Sequence, residues 1–223
     1  MEHFKDILAR AEKHHGGAAA LDAELPRPKS RAALRRIPDH RYLAEMTRHV
    51  FNAGFVWRVI EAKWDGFEEV FKGFEPAPLA RLSEARLEKL AKDERIVRNP
   101  QKIAAVRGNA RLLVELAKEH GSAARFFSDW PADDIVGLWS LLKQRGARLG
   151  GTTGPMFLRH IGVDTPLLFG DVERALREQG VIETKSVTSQ RALRAVQDAF
   201  NTWSEESGRS LSEISKILAC SLG

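Results

Sequence analysis

The chain has 223 residues, 43% of them hydrophobic and 29% charged, with a net charge of +5. Those proportions suit one well-buried domain with an appended tail, and they exclude a membrane-embedded chain, because no run approaches the ~20 apolar residues of a spanning helix. A single cysteine, Cys220, excludes an internal disulfide and fits a reducing, cytoplasmic setting, and the charged start of the chain has no secretory signal pattern.

Phe4, Ile7, Leu8 and Ala11 recur at helical spacing over residues 2–15, and Gly16-Gly17 ends that run. Residues 16–40 hold Pro26, Pro28 and Pro38 among basic residues and alanines, which predicts a loop or a short arm. Tyr42–Asn52 and Phe55–Trp64 read as helices on either side of Gly54. Gly66–Phe74 reads as a short helix ended by Pro76 and Pro78, and Ser83–Lys92 as one begun by a serine cap. After Pro100, Gln101–Glu119 is periodic through Ile103, Val106, Ala110, Leu113, Val114 and Ala117 until Gly121.

Pro131 opens Ala132–Arg145, with Asp133 and Asp134 where the helix dipole favours acids. Thr152–Ile161, Asp171–Gln179, Ser189–Glu206 and Ser210–Leu222 follow, the last with an S-x-x-E capping box at Ser210–Glu213. No run alternates at period two, so the expected fold class is all-α. Residues 1–40 are expected as an N-terminal helix and basic arm. Residues 41–223 are expected as one helical domain whose last part, 171–223, is an extension.

Positive charge is concentrated. Arg27, Lys29, Arg31, Arg35, Arg36, Arg41 and Arg48 form one cluster, Arg95, Arg98, Lys102, Arg107 and Arg111 a second, and Lys143, Arg145 and Arg148 a third. Singly, each reads as a solvated helix face. Flanking two glycine sites, the three together point to a phosphate-binding face.

The first glycine site is Ala53-Gly54-Phe55-Val56-Trp57, an aromatic pair behind a helix break, as an enzyme needs to hold an extruded base. The second is Gly150-Gly151-Thr152-Thr153-Gly154, between the helix ending at Arg145 and the apolar helix behind it. Backbone amides opening a helix attract an anion, and glycines let the backbone approach closely. That is a helix-hairpin-helix, near residues 142–160. The alternative readings are a core tryptophan and an ordinary interhelical turn.

Three strings carry a resemblance to a known family: A-G-F-V-W at 53–57, I-V-R-N-P-Q-K-I-A-A-V-R-G-N-A-R at 96–111 and G-T-T at 151–153. Over roughly residues 40–165 the chain resembles the 3-methyladenine DNA glycosylase I family of the helix-hairpin-helix glycosylase superfamily, in a divergent branch. The resemblance implies the helix-hairpin-helix DNA glycosylase fold and monofunctional removal of alkylated purines from double-stranded DNA by N-glycosidic hydrolysis. It implies no cofactor and no membrane partner, and a monomer is expected. Trp57 matches the family's stacking tryptophan, Asn52 a pocket amide, and Phe55 the side chain that fills the gap in the duplex. Gly150, Gly151, Thr152 and Thr153 are expected at a phosphate, with Arg98 and Lys102 on the same DNA-binding surface.

The chain also departs from the family. His49 stands where the family has a carboxylate that reads the base, and Glu45, one turn earlier on the same face, is the candidate to supply one. Tyr42, the only tyrosine, is the candidate to replace the family's N-terminal aromatics. With Cys220 alone, and no partners for His14-His15 at ligand spacing, no metal site is expected. Val163-Asp164-Thr165 resembles the V-D-T string in which superfamily relatives carry a sugar-stabilising Asp, although it follows Gly162 sooner. Asp164 is therefore a catalytic candidate beside its reading as a helix-terminating Asp, and His160 reads as a surface or satisfied residue. Two rival functions remain: a non-catalytic DNA-binding protein on a degenerate glycosylase scaffold, favoured by His49, and an unrelated helical interaction domain.

Overall fold

Helical periodicity becomes fifteen α-helices among the described residues, 1–183 and 187–223, of the computed structural model, and no strand occurs among them. The first are α1 (Phe4–His14), α2 (Ala18–Glu24), α3 (Arg31–Arg35), α4 (Asp39–Asn52) and α5 (Trp57–Ala62). Then come α6 (Trp64–Val70), α7 (Pro76–Leu79), α8 (Glu84–Leu90), α9 (Pro100–His120) and α10 (Ala123–Asp129). The chain closes with α11 (Ile135–Arg145), α12 (Thr153–Ile161), α13 (Asp171–Glu178), α14 (Gln190–Ser207) and α15 (Leu211–Cys220). None of the helices is long and apolar enough to cross a membrane, among the described residues.

Two compact units divide the chain, and neither is continuous in sequence. One comprises residues 30–130 and 138–161. Its spine is α9, begun by Asn99, whose Oδ1 accepts from Lys102 N, and by Pro100 at the first helical position. Ile103, Val106, Ala110, Leu113 and Leu116 are buried on α9, and Leu43, Met46, Val50 and Phe51 on α4, which packs against it. Each such side chain stabilises the unit by about 1.5–3 kcal/mol relative to exposure. Helix α12 packs on α4, with Phe157 edge-on to Tyr42 at 6.5 Å, and Phe157 is also edge-on to Phe127 of α10 at 5.6 Å.

Several elements here are absent from the sequence expectation. The stretch 16–40, expected as a loop or arm, forms α2 and α3, the latter capped by Ser30 Oγ accepting from Ala33 N. Helix α10 begins at Ser122, whose Oγ accepts from Arg125 N, and both oxygens of Asp39 accept from Ala123 N and Ala124 N. The run 55–64 is not one helix: α5 starts at Trp57, α6 starts at Trp64, and Gly66 lies inside α6. Pro76 opens α7 rather than only ending what precedes it, because a proline's missing N–H costs nothing in a first turn.

The other unit comprises residues 1–29, 131–137 and 162–223. Here α15 packs against α1, α13 and α14. Phe4, Ile7, Ala11, Phe200, Trp203, Ile214 and Leu218 are buried. Phe4 N donates to Glu206 Oε2 at 2.7 Å, and Trp203 Nε1 to Glu2 O at 3.3 Å. The expected boundary at residue 40 therefore falls elsewhere: residues 1–29 belong with the end of the chain, and 30–40 with the unit built on α9.

Candidate active site

Helix α4 ends at Asn52, and the chain turns through 53–56 before α5 begins at Trp57. Lys102, on α9, fixes that turn. Its Nζ donates to Phe51 O at 3.0 Å and Ala53 O at 2.6 Å, and lies 4.4 Å from the centre of the Phe55 ring. A lysine cation satisfies the orphan carbonyls at a helix C-terminus and opposes its negative dipole. Burial, with Arg148 nearby, holds the Lys102 ammonium below the usual lysine range. Arg48 ties α4 to α5 through Glu61, with its guanidinium 3.8 Å over the Trp64 ring. Beyond the turn, Phe55, Val56, Trp57 and Val59 are exposed, and Trp57 keeps 60% of its surface open to solvent. Asn52 Oδ1 is the opposite case: it is buried and has no hydrogen-bond partner among the described residues.

On the same helix, His49 is buried and its Nε2 lies 3.0 Å from Glu45 Oε1. Burial pushes the Glu45 carboxyl up, but the His49 hydrogen bond and the charges of His49, Arg48 and His160 together bring it below the usual carboxylate range. The His160 ring, from α12, stands 4.5 Å from that of His49, and its Nδ1 lies 2.9 Å from Met156 O. His160, incidental on the sequence reading, is thus part of this group. Nothing in the sequence places a residue 111 positions away beside His49; only the packing of α12 on α4 does so.

The second glycine site joins α11 to α12. Gly151 takes a φ of 62°, in the left-handed region that glycine enters without strain, and Gly151 and Thr152 are exposed. The stretch before it is pinned to α9 by a reciprocal pair: Asn109 Nδ2 donates to Ala147 O at 3.1 Å, and Ala147 N to Asn109 Oδ1 at 2.7 Å. A Cβ on Gly108 would come within 2.8 Å of Ala147 Cβ, so only glycine permits this approach. Arg148 Nη1 donates to Gln101 Oε1 at 3.1 Å.

The methyladenine glycosylase family profile matches residues 35–148, just over half of the chain. The protein belongs to the methyladenine glycosylase family. DNA-3-methyladenine glycosylase 1 of Escherichia coli (strain K12) is 33% identical over 64 residues, which are 29% of this chain and 34% of that protein. The chain thus aligns with about a third of that relative's length. A crystal structure of 3-methyladenine DNA glycosylase I aligns with a TM-score of 0.50 at 22% identity, over 63% of this chain and 84% of the other. A variant of the 3-methyladenine DNA glycosylase I of Staphylococcus aureus aligns with a TM-score of 0.52 at 20% identity, over 68% and 90%. The all-helical, helix-hairpin-helix glycosylase fold is therefore that of this chain.

Within this family frame, three expected site residues take other roles. Tyr42 is fully buried, its ring stacked on Phe127 at 5.1 Å and its hydroxyl donating to Leu34 O at 3.1 Å, so it cannot meet a base. Lys102, expected on the DNA-binding surface, is instead buried beneath the turn it fixes. Asp164 accepts from Leu211 N at 2.9 Å and Ser212 N at 2.8 Å, so both of its oxygens cap α15 and the catalytic assignment gives way to a structural one.

The basic clusters are also largely tied down. Arg41 makes a two-pronged pair with Glu68, Arg95 pairs with Asp93 and Glu69, and Arg107 and Arg111 donate to Leu82 O and Ala80 O. Arg98 stays well exposed, 3.4 Å from Glu94. Sequence reasoning marks the G-N-A-R string by resemblance but misses what Gly108 and Asn109 do there. The sequence alone does not show that Ala147 lies across from them.

Proposed function

We propose that this protein is a monofunctional DNA glycosylase that extrudes an alkylated purine, such as 3-methyladenine, from duplex DNA and hydrolyses its N-glycosidic bond without a cofactor. The observation that carries this reading is Trp57: a large indole left 60% open at the start of α5, in the family's matched stretch, on a turn hydrogen-bonded from beneath by Lys102. An exposed aromatic face on a fixed turn is a platform for a flat, cationic base, and stacking there contributes ~1–2 kcal/mol beyond burial. A 3-methylated adenine is already positively charged and leaves readily, so the protein mainly extrudes the base, holds it and admits water.

The other residues fit around that platform. Asn52 Oδ1, closed off from solvent and with no hydrogen-bond partner among the described residues, has an accepting site free for an amino group on the base once the neighbouring turn opens. Phe55 is the exposed side chain beside the platform that enters the gap left in the duplex. Glu45 is anionic and orients His49 by their hydrogen bond, placing negative charge near the positive base and sugar. Gly150, Gly151, Thr152 and Thr153 present the opening of α12 to a phosphate, and Arg98 adds an exposed cation.

The test is release of free methylated base from alkylated duplex DNA. Trp57→Ala is expected to lower release by about 5- to 150-fold, the ~1–3 kcal/mol that a base-stacking aromatic contributes, with duplex affinity nearly intact. Unchanged release removes Trp57 from the site. A second reading, a DNA-binding protein without catalysis, is favoured by His49 standing where the family has its carboxylate. Salt-sensitive binding of duplex with no base released is its signature.

A further inference from the structure

Glu45, His49 and His160 bring a carboxylate and two imidazoles together, with one ligand atom from each lying within 4.8 Å of the other two. Glu45 and His49 sit one turn apart on α4, and His160 comes from the last turn of α12, so helix packing assembles the group. His49 Nε2 and Glu45 Oε1 are 3.0 Å apart. Two donors on a tetrahedral zinc with bonds of 2.0–2.1 Å stand about 3.3 Å apart, so a metal would displace the proton of this hydrogen bond with only a small widening of the pair.

His160 carries the more telling detail. Its Nδ1 lies 2.9 Å from Met156 O. A carbonyl only accepts, so Nδ1 holds the proton and the neutral ring keeps its lone pair on Nε2. A backbone carbonyl fixing the tautomer in this way is the usual support behind a metal-binding histidine. The two rings stand 4.5 Å apart, close enough for one cation to be shared between them. Arg48 approaches only the other oxygen of Glu45, Oε2, at 3.7 Å, and is itself paired with Glu61.

We propose that Glu45, His49 and His160 form a binding site for a divalent transition metal of the zinc type. Two imidazoles and one carboxylate select such an ion over magnesium or calcium, which prefer all-oxygen shells. Three protein donors leave a fourth position for water, as in zinc sites that take part in chemistry rather than hold a fold. The geometry of these three side chains carries the proposal, and a bound cation would take up the Glu45 charge that the glycosylase reading sets beside the base.

The test uses the full chain without DNA, stripped by a chelator and titrated with Zn2+ or Co2+. The expected result is a single equivalent bound, Co2+ absorption of tetrahedral type, and no competition from Mg2+. His160→Ala and His49→Gln are expected to weaken binding by more than the roughly 10- to 100-fold that loss of a ligand's hydrogen-bonding partner costs. His14→Ala is expected to leave it unchanged. Because buried His49 also bears on folding, Zn2+ is followed on the unaltered protein by the ring signals of its seven histidines. Those of His49 and His160 alone are expected to move. No binding, binding that survives loss of His160, or movement of other histidine signals overturns the proposal. Base release is measured separately, so a failed glycosylase assay leaves this result standing and the reverse.

Discussion

A buried ammonium is unfavourable unless its charge is met, and Lys102 meets two carbonyls and an aromatic face at once. Its role is to hold a turn in place so that Trp57 can stay exposed. Asp164 has a comparable structural role at a second position, closing the start of α15 with both oxygens. Asp164→Ala is expected to lower stability by about 0.5–2 kcal/mol, the usual effect of removing a helix cap, while base release per folded molecule is unchanged. Chemical denaturation beside a release assay decides it: a drop in release at unchanged stability restores Asp164 to the chemistry. The sequence marks Trp57 behind a glycine break but does not separate an exposed indole from a core one; its 60% exposure comes from the structure. Lys102 and Asp164 mislead because charge is visible in a sequence and burial is not.

The joint between α11 and α12 is shaped from outside, by α9. Gly108 and Asn109 on that helix hold Ala147, three residues before the glycine turn, by close approach and a reciprocal pair of hydrogen bonds. Gly151→Glu puts a negative charge and a side chain at a residue with φ of 62°. It is expected to weaken binding to all duplex sequences alike and to flatten the dependence of affinity on salt, because the variant engages fewer phosphates and so releases fewer counterions. Titrations at several salt concentrations test this, and unaltered affinity rejects the anchor. The long helices α9 and α14 are legible from period and caps. Helices α2, α3, α7 and α10 are not, since each has seven residues or fewer and owes its existence to tertiary packing more than to propensity.

Over the whole molecule, the chain builds each unit from separated segments. The first helix, α1, buries Phe4, Ile7 and Ala11 in the unit that holds α13, α14 and α15. Periodicity predicts α1 correctly, but only long-range packing reveals its partners, and for that reason residues 1–40 read as a separate arm. Deleting residues 1–15 is expected to destabilise that unit by several kcal/mol, from about 1.5–3 kcal/mol for each large buried side chain removed. That is a large part of the 5–15 kcal/mol typical of a folded domain. Thermal unfolding followed by circular dichroism checks it, and an unchanged transition returns the segment to the status of a dispensable arm.

The pairing of α1 with α15 also sets an order of events on the ribosome. Some two hundred residues separate Phe4 from the helix it rests on. At a synthesis rate of roughly 5–20 residues per second, α1 waits on the order of 10–40 s for that surface to be made. The α9-centred unit, all of whose segments are translated by Ile161, has every piece available before then. During that interval the nascent chain exposes the apolar face of α1, where a chaperone has both the time and the target to hold it.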